Sequence, residues 1–210
     1  MTLLEKYIEK NSQMPLIAIL RGITPAESVA VSDALFEAGI TIMEVTLNSP
    51  DAYESIRLIH QKHGDNIILG AGTVLTVDQV IKVKEAGGTL IISPNMNPDV
   101  IMETKKQGIL SIPGCYTPTE SFKALEMGAD MIKIFPADTL GVKYINAIKA
   151  VLPKGTMICP TGGVDEHTIP NFVKADVTSM GLGSALYKAG KSPKDVCASA
   201  KIFVQAYKNS

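Results

Sequence analysis

Eight short apolar runs recur along the chain at nearly equal intervals, and this periodicity constrains the fold more than any other feature. They read LIAILR from Leu16, IMEVT from Ile42, IILGAG from Ile67, LIISP from Leu90, LSIPG from Leu110, MIKIFP from Met131, MICPTG from Met157 and TSMGLG from Thr178. Successive starts lie 20 to 26 residues apart, with segments of helical spacing such as PAESVAVSDALFEAG between them. Thr24-Pro25-Ala26-Glu27 and Thr117-Pro118-Thr119-Glu120 each supply a capping Thr, a Pro at the first helical position and a Glu at the capping-box position. Gly39, Gly87, Gly108 and Gly128 stand just before the next run, where a left-handed helix end needs a residue that tolerates positive φ. Strands too apolar to face water, alternating with helices, imply a parallel sheet covered by helices. Eight units in 210 residues predict one α/β domain spanning residues 1–210 and closed as a (β/α)₈ TIM barrel; a doubly wound open sheet is the alternative. Residues 1–13 read as an amphipathic helix, with Leu4, Tyr7 and Ile8 on one side, that covers the N-terminal mouth.

Composition narrows the function classes. Twenty Lys and Arg against 21 Asp and Glu leave a net charge of −1, which removes the electrostatic case for a nucleic-acid partner. No apolar run approaches the ~18–20 residues of a membrane span, and Glu5, Lys6, Glu9 and Lys10 stand where a signal peptide needs an apolar stretch. Cys115, Cys159 and Cys197 are far apart and form no C-x-x-C, so a reduced, cytoplasmic chain is expected. His60 and His63 lack a third ligand of matching position, and solvated helix residues rather than a metal site are expected there.

Two runs carry a charge where a barrel strand should be apolar. In Met131-Ile132-Lys133-Ile134-Phe135-Pro136, alternation puts Lys133 on the face opposite the two isoleucines, pointing inward. In Ile42-Met43-Glu44-Val45-Thr46-Leu47, Glu44 and Thr46 take the inward face. A structural ion pair is one reading, although desolvation offsets most of what such a pair gains. The other is chemical. An unprotonated lysine amine makes a Schiff base with a ketone, low dielectric favours that form, and a nearby carboxylate moves protons. Barrel chemistry sits at the C-terminal strand ends, which favours the chemical reading. Thr161-Gly162-Gly163-Val164 and Gly181-Leu182-Gly183-Ser184 follow the seventh and eighth runs, the usual place for phosphate binding. There Ser184 is expected to open a short helix, SALYKAG, and to donate its hydroxyl to an anion. Arg21 ends the first run and suits a carboxylate. Thr73 offers a polar contact after Gly70-Ala71-Gly72, and Cys159 is expected to face the interior and simply pack.

The motifs Glu44-Val45-Thr46-Leu47, Gly70-Ala71-Gly72-Thr73-Val74-Leu75, Ser93-Pro94, Ile112-Pro113-Gly114, Lys133-Ile134-Phe135-Pro136-Ala137 and Pro160-Thr161-Gly162-Gly163 resemble those of the 2-keto-3-deoxy-6-phosphogluconate aldolase family over essentially the whole chain. The resemblance implies a barrel that commonly forms homotrimers and needs no metal or other cofactor. It implies Lys133 as Schiff-base lysine and Glu44 as general acid/base. Thr73 would position the pyruvate portion, with Pro94 and Phe135 shaping the pocket and Gly162, Gly163 and Ser184 holding phosphate. One departure stands out: Asn48 occupies the place of the arginine that grips the carboxylate in gluconate-type members. Leu47-Asn48-Ser49-Pro50 and Pro113-Gly114-Cys115 resemble the 6-phosphogalactonate branch, in which Arg21 takes the carboxylate, whereas Thr46 and Pro160-Thr161 are closer to the gluconate type. The substrate implied is a phosphorylated keto acid, 2-keto-3-deoxy-6-phosphogalactonate, with the gluconate epimer (and 4-hydroxy-2-oxoglutarate) as the alternative and Thr161 and Glu44 near the stereocentre that separates the two epimers. A phosphate-binding barrel of another enzyme class, with Lys133 as proton donor, and a non-catalytic sugar-phosphate sensor remain the competing readings.

Overall fold

The computed structural model describes residues 1–210. Its strands are β1 (Leu16–Leu20), β2 (Ile42–Thr46), β3 (Ile68–Gly72), β4 (Leu90–Ile92), β5 (Leu110–Ile112), β6 (Gly114–Cys115), β7 (Ile132–Ile134), β8 (Ile158–Pro160) and β9 (Met180–Leu182). The helices are α1 (Leu3–Gln13), α2 (Pro25–Glu37), α3 (Ala52–His63), α4 (Val77–Glu85), α5 (Pro98–Lys106), α6 (Pro118–Glu126), α7 (Ala137–Lys149), α8 (Ile169–Lys174) and α9 (Pro193–Lys208). Each of the eight apolar runs thus contributes a strand. The fifth is divided, because Pro113 has no N–H to give to a ladder.

All pairings are parallel, in the orders β5-β4-β3-β2-β1-β9 and β6-β7-β8. Hydrogen bonds run between the two groups at both seams. Thr178 N–H donates to the Ile158 carbonyl at 2.9 Å and Thr161 bridges Gly181, while on the other side Asp130 N–H donates to the Ser111 carbonyl at 2.9 Å and Lys133 N–H to that of Pro113 at 3.0 Å. The result is a curled parallel sheet with helices packed on its outer face. Helix ends follow their local sequence: Thr117 and Glu120 form a capping box on α6, and the Glu27 carboxylate accepts the Thr24 N–H at α2. Gly39, Gly87, Gly108 and Gly128 all take positive φ, between 68° and 95°.

Burial separates the two faces of the sheet. An outer cluster of 45 buried residues, including Met43, Val45, Ile132 and Ile134, fills the space under the helices. A second cluster of 10 lies on the inner face and includes Ile17, Ile42, Ile68, Leu110, Met131 and Cys159. With Ile42 inward and its two alternating neighbours outward, Glu44 and Thr46 face in; Lys133 does so for the same reason. Tyr7 of α1 inserts into this inner cluster, and its hydroxyl lies 2.7 Å from Ser179 Oγ. Leu3 and Leu4 pack beside it, whereas Ile8 is half exposed; the face that meets the sheet is centred on Tyr7 rather than extending to Ile8. No helix is long and apolar enough to cross a membrane.

Candidate active site

Two charged side chains stand on the inner face among apolar neighbours. Lys133, from the centre of β7, is 6% exposed and Glu44, from the centre of β2, is 1% exposed. They form no direct ion pair, and Glu44 Oε2 is buried without a hydrogen-bond partner. An orphaned carboxyl oxygen is costly, so a purely structural pair, which should close on itself, does not describe this arrangement. Burial pushes the Glu44 carboxyl above the usual range, while the charges of Lys133 and Arg21 pull it the other way. Glu44 therefore holds a proton more readily than an exposed carboxylate does.

The backbone is shaped to admit this carboxyl group. A Cβ built on Gly72, at the end of β3, would lie 2.6 Å from Glu44 Cδ and Oε1. Thr73 follows with φ 58°, a left-handed conformation unusual for a β-branched residue and of the kind held at functional sites. Ser93, at the end of β4, is fixed by donation to the Val74 carbonyl at 2.7 Å. The Ser93–Pro94 backbone lies so close to Gly114 that no side chain fits between them.

Beside the buried pair opens a cavity of about 580 Å³, a size suited to a small metabolite. Arg21 from the end of β1, Phe135 after β7 and Thr161 after β8 line it, with Gly162, Gly163 and Ser184 at one end. Lys133 Nζ sits 4.9 Å from the centroid of the Phe135 ring, so this side chain marks where cavity and amine meet. Six of the ten sequence-derived site residues share the cavity wall; Lys133 and Glu44 are not part of that wall, and Thr73 and Pro94 stand just after β3 and β4. Gly162 and Gly163 take φ 101° and 66° and lie against the start of α7, a turn open to glycine alone without strain.

Several expectations need correction. Ser184 does not open a helix: residues 184–186 form a turn closed by Leu186 N–H donating to the Gly183 carbonyl at 3.0 Å, and helical structure resumes only at α9. The chain leaves this turn through Ala189 and Gly190, the latter at φ 78°, which ends any helical run. His60 is solvated, but His63 is buried between α2 and α3, 3.0 Å from Ser32 Oγ and 3.2 Å from Asp33. Cys159 does face the interior, where burial pushes its thiol up to about 12.

Two charged cavity residues escape sequence reasoning. Lys188 reaches the wall from the segment after Ser184, bringing a cation to the glycine end. Asp165 lies there too. Burial raises its carboxyl, but the backbone N–H groups of Thr168 and His167 outweigh this and hold it below the usual range. Neither carried a local signal in the sequence: Lys188 follows a turn, and Asp165 reads simply as a turn former.

Comparison with known proteins identifies the family. The family model described as "Aldolase: KDPG and KHG aldolase" matches residues 7–201. The 2-dehydro-3-deoxy-6-phosphogalactonate aldolase of Escherichia coli K12 is 43% identical over 200 residues, covering 95% of this chain and 98% of the relative. The solved structure of native KDPGal superposes with a TM-score of 0.92 at 43% identity, covering 94% of this chain and 96% of that one. The KDPG aldolase of Legionella pneumophila, solved with pyruvate captured as a covalent carbinolamine intermediate, superposes with a TM-score of 0.82 at 27% identity, covering 96% of each chain. The chain belongs to the KDPG and KHG aldolase family.

Proposed function

We propose that this protein is a class I aldolase that cleaves 2-keto-3-deoxy-6-phosphogalactonate to pyruvate and glyceraldehyde 3-phosphate through a Schiff base on Lys133. The observation that carries this reading is the inward Lys133 and Glu44, unpaired with each other, beside a cavity that ends in a glycine turn. The 43% identity to the Escherichia coli phosphogalactonate enzyme supports that epimer over the gluconate one.

In this mechanism the Lys133 amine attacks the C2 carbonyl, and the carbinolamine loses water to an iminium, with Glu44 carrying protons. Glu44 then takes the C4 hydroxyl proton. The C3–C4 bond breaks, its electron pair passes into the iminium as an enamine, and glyceraldehyde 3-phosphate departs. Protonation at C3 and hydrolysis of the resulting iminium release pyruvate and restore Lys133. Arg21 meets the substrate carboxylate. Thr73 positions the pyruvate portion, with Pro94 and Phe135 shaping the pocket and Thr161 contacting the substrate. Gly162, Gly163 and Ser184 take the phosphate, with Lys188 supplying countercharge. The iminium is the electron sink, so these steps call on no cofactor.

We further infer that the curled sheet closes into an eight-stranded barrel forming one domain over residues 1–210. In that barrel β5 and β6 are one strand interrupted at Pro113, and α1 covers the N-terminal mouth. A cytoplasmic homotrimer is the proposed setting. Steady-state cleavage of both epimers tests the substrate. The galactonate compound is expected to give the higher kcat/KM with release of pyruvate; a higher value for the gluconate compound overturns the assignment, and no pyruvate from either overturns the activity.

A further inference from the structure

The turn after β2 bonds to the end of β1 through two consecutive residues. Asn48 Oδ1 accepts from Arg21 Nη1 at 2.9 Å, and Ser49 Oγ accepts from the Gly22 N–H at 2.8 Å. Ser49 is itself anchored. Its hydroxyl lies 3.1 Å from Thr46 Oγ1, and its N–H donates to the Thr46 carbonyl at 2.9 Å. Thr46 is wholly buried and Ser49 nearly so, whereas Asn48 and Arg21 are exposed, and Arg21 lines the cavity. The buried hydroxyl pair thus fixes the backbone on which the exposed pair is mounted.

From this we infer that Asn48 is a positioning residue: it holds the Arg21 guanidinium at the cavity wall in the orientation that receives the substrate carboxylate. This rests on the aldolase reading and extends it to a residue outside the reacting set. A guanidinium has five N–H donors in a rigid fork. Asn48 takes one from a single nitrogen and leaves the others for two-point binding of a carboxylate. A free arginine gives up considerable rotamer entropy when it binds; tethering removes part of that cost before substrate arrives. The amide is suited to this task because it accepts a hydrogen bond without neutralising the cation. An aspartate in its place would compete with the substrate for Arg21.

The test compares the unmodified protein with Asn48→Ala, Asn48→Asp, Arg21→Ala and the Arg21→Ala/Asn48→Ala double variant. Three quantities are read: the pyruvate concentration giving half-maximal borohydride trapping on Lys133, kcat and KM for cleavage, and inhibition by inorganic phosphate. Asn48→Ala is expected to raise the pyruvate half-point and KM about fivefold, the order expected for losing one orienting hydrogen bond. In the same variant, kcat should stay within about twofold and phosphate inhibition should be unchanged. Asn48→Asp should raise the half-point further, and the double variant should match Arg21→Ala. An unchanged half-point in Asn48→Ala, or an added effect of that substitution in the Arg21→Ala background, overturns the positioning role. Weakened phosphate inhibition with unaltered pyruvate trapping overturns it too, because Arg21 would then serve the other anion. Absence of any pyruvate adduct in the unmodified protein refutes the aldolase reading itself, and the role with it.

Discussion

A carboxyl group with almost no exposed surface and one oxygen unpaired is kept in the interior because its neighbours leave it room. Gly72 supplies that room for Glu44: any side chain there meets the carboxyl group at 2.6 Å. Gly72→Ala is therefore expected to leave the fold intact and displace Glu44, lowering kcat on the order of 10²-fold, as misplacing a proton-transfer group does. Steady-state assay with circular dichroism as the folding control checks this; full kcat in a folded variant contradicts the assignment of Glu44. The inward direction of Glu44 and Lys133 was legible in the sequence because strand alternation places them opposite Met43, Val45, Ile132 and Ile134. The reach of Lys188 to the cavity, and the bond between Asn48 and Arg21, were not. Both depend on how loops from different strands converge, and no local period encodes that convergence.

The helices and strands were more legible than the loops. Thr117 with Glu120, and the helix-ending glycines, marked helix boundaries because capping is chemistry within a few residues. Ser184 failed as a helix start for the complementary reason: Gly190, at φ 78°, cuts the run short, and β9 leads into a turn rather than a helix. His63 failed because helix-pair packing buries it. It sits on Ser32 and Asp33 of α2, with the Phe36 ring 5.4 Å away. Burial lowers the His63 pKa more than the Asp33 carboxylate restores it. Since the folded protein holds this proton less tightly than the unfolded chain, the contribution of His63 to stability is complete above the ordinary value of about 6.5. It is lost as the pH falls below that value through the lowered one. Urea unfolding at pH 7 and pH 5 should show this acid loss, and His63→Gln should reduce it. An unchanged pH dependence in the variant contradicts the assignment.

Over the whole molecule, the near-neutral net charge of −1 matters because the proposed substrate carries a carboxylate and a phosphate. In the proposed complex that charge would be met locally by Arg21 and Lys188, which line one cavity, rather than by a basic surface. Leu75, Val77, Met102, Tyr116 and Phe122 are each 37–48% exposed, and they lie on consecutive elements from the end of β3 to α6. Exposed apolar groups of this kind suit an interface between copies. Sedimentation equilibrium is expected to give three times the 22.4 kDa chain mass, and a monomer at micromolar concentration contradicts the proposed trimer. The central claim remains the covalent chemistry of one buried amine. Borohydride reduction in the presence of pyruvate, followed by peptide mass analysis, reads it directly. The account predicts a pyruvate adduct on the peptide carrying Lys133, lost in a folded Lys133→Ala variant; an unmodified Lys133, or an adduct at another lysine, would contradict it.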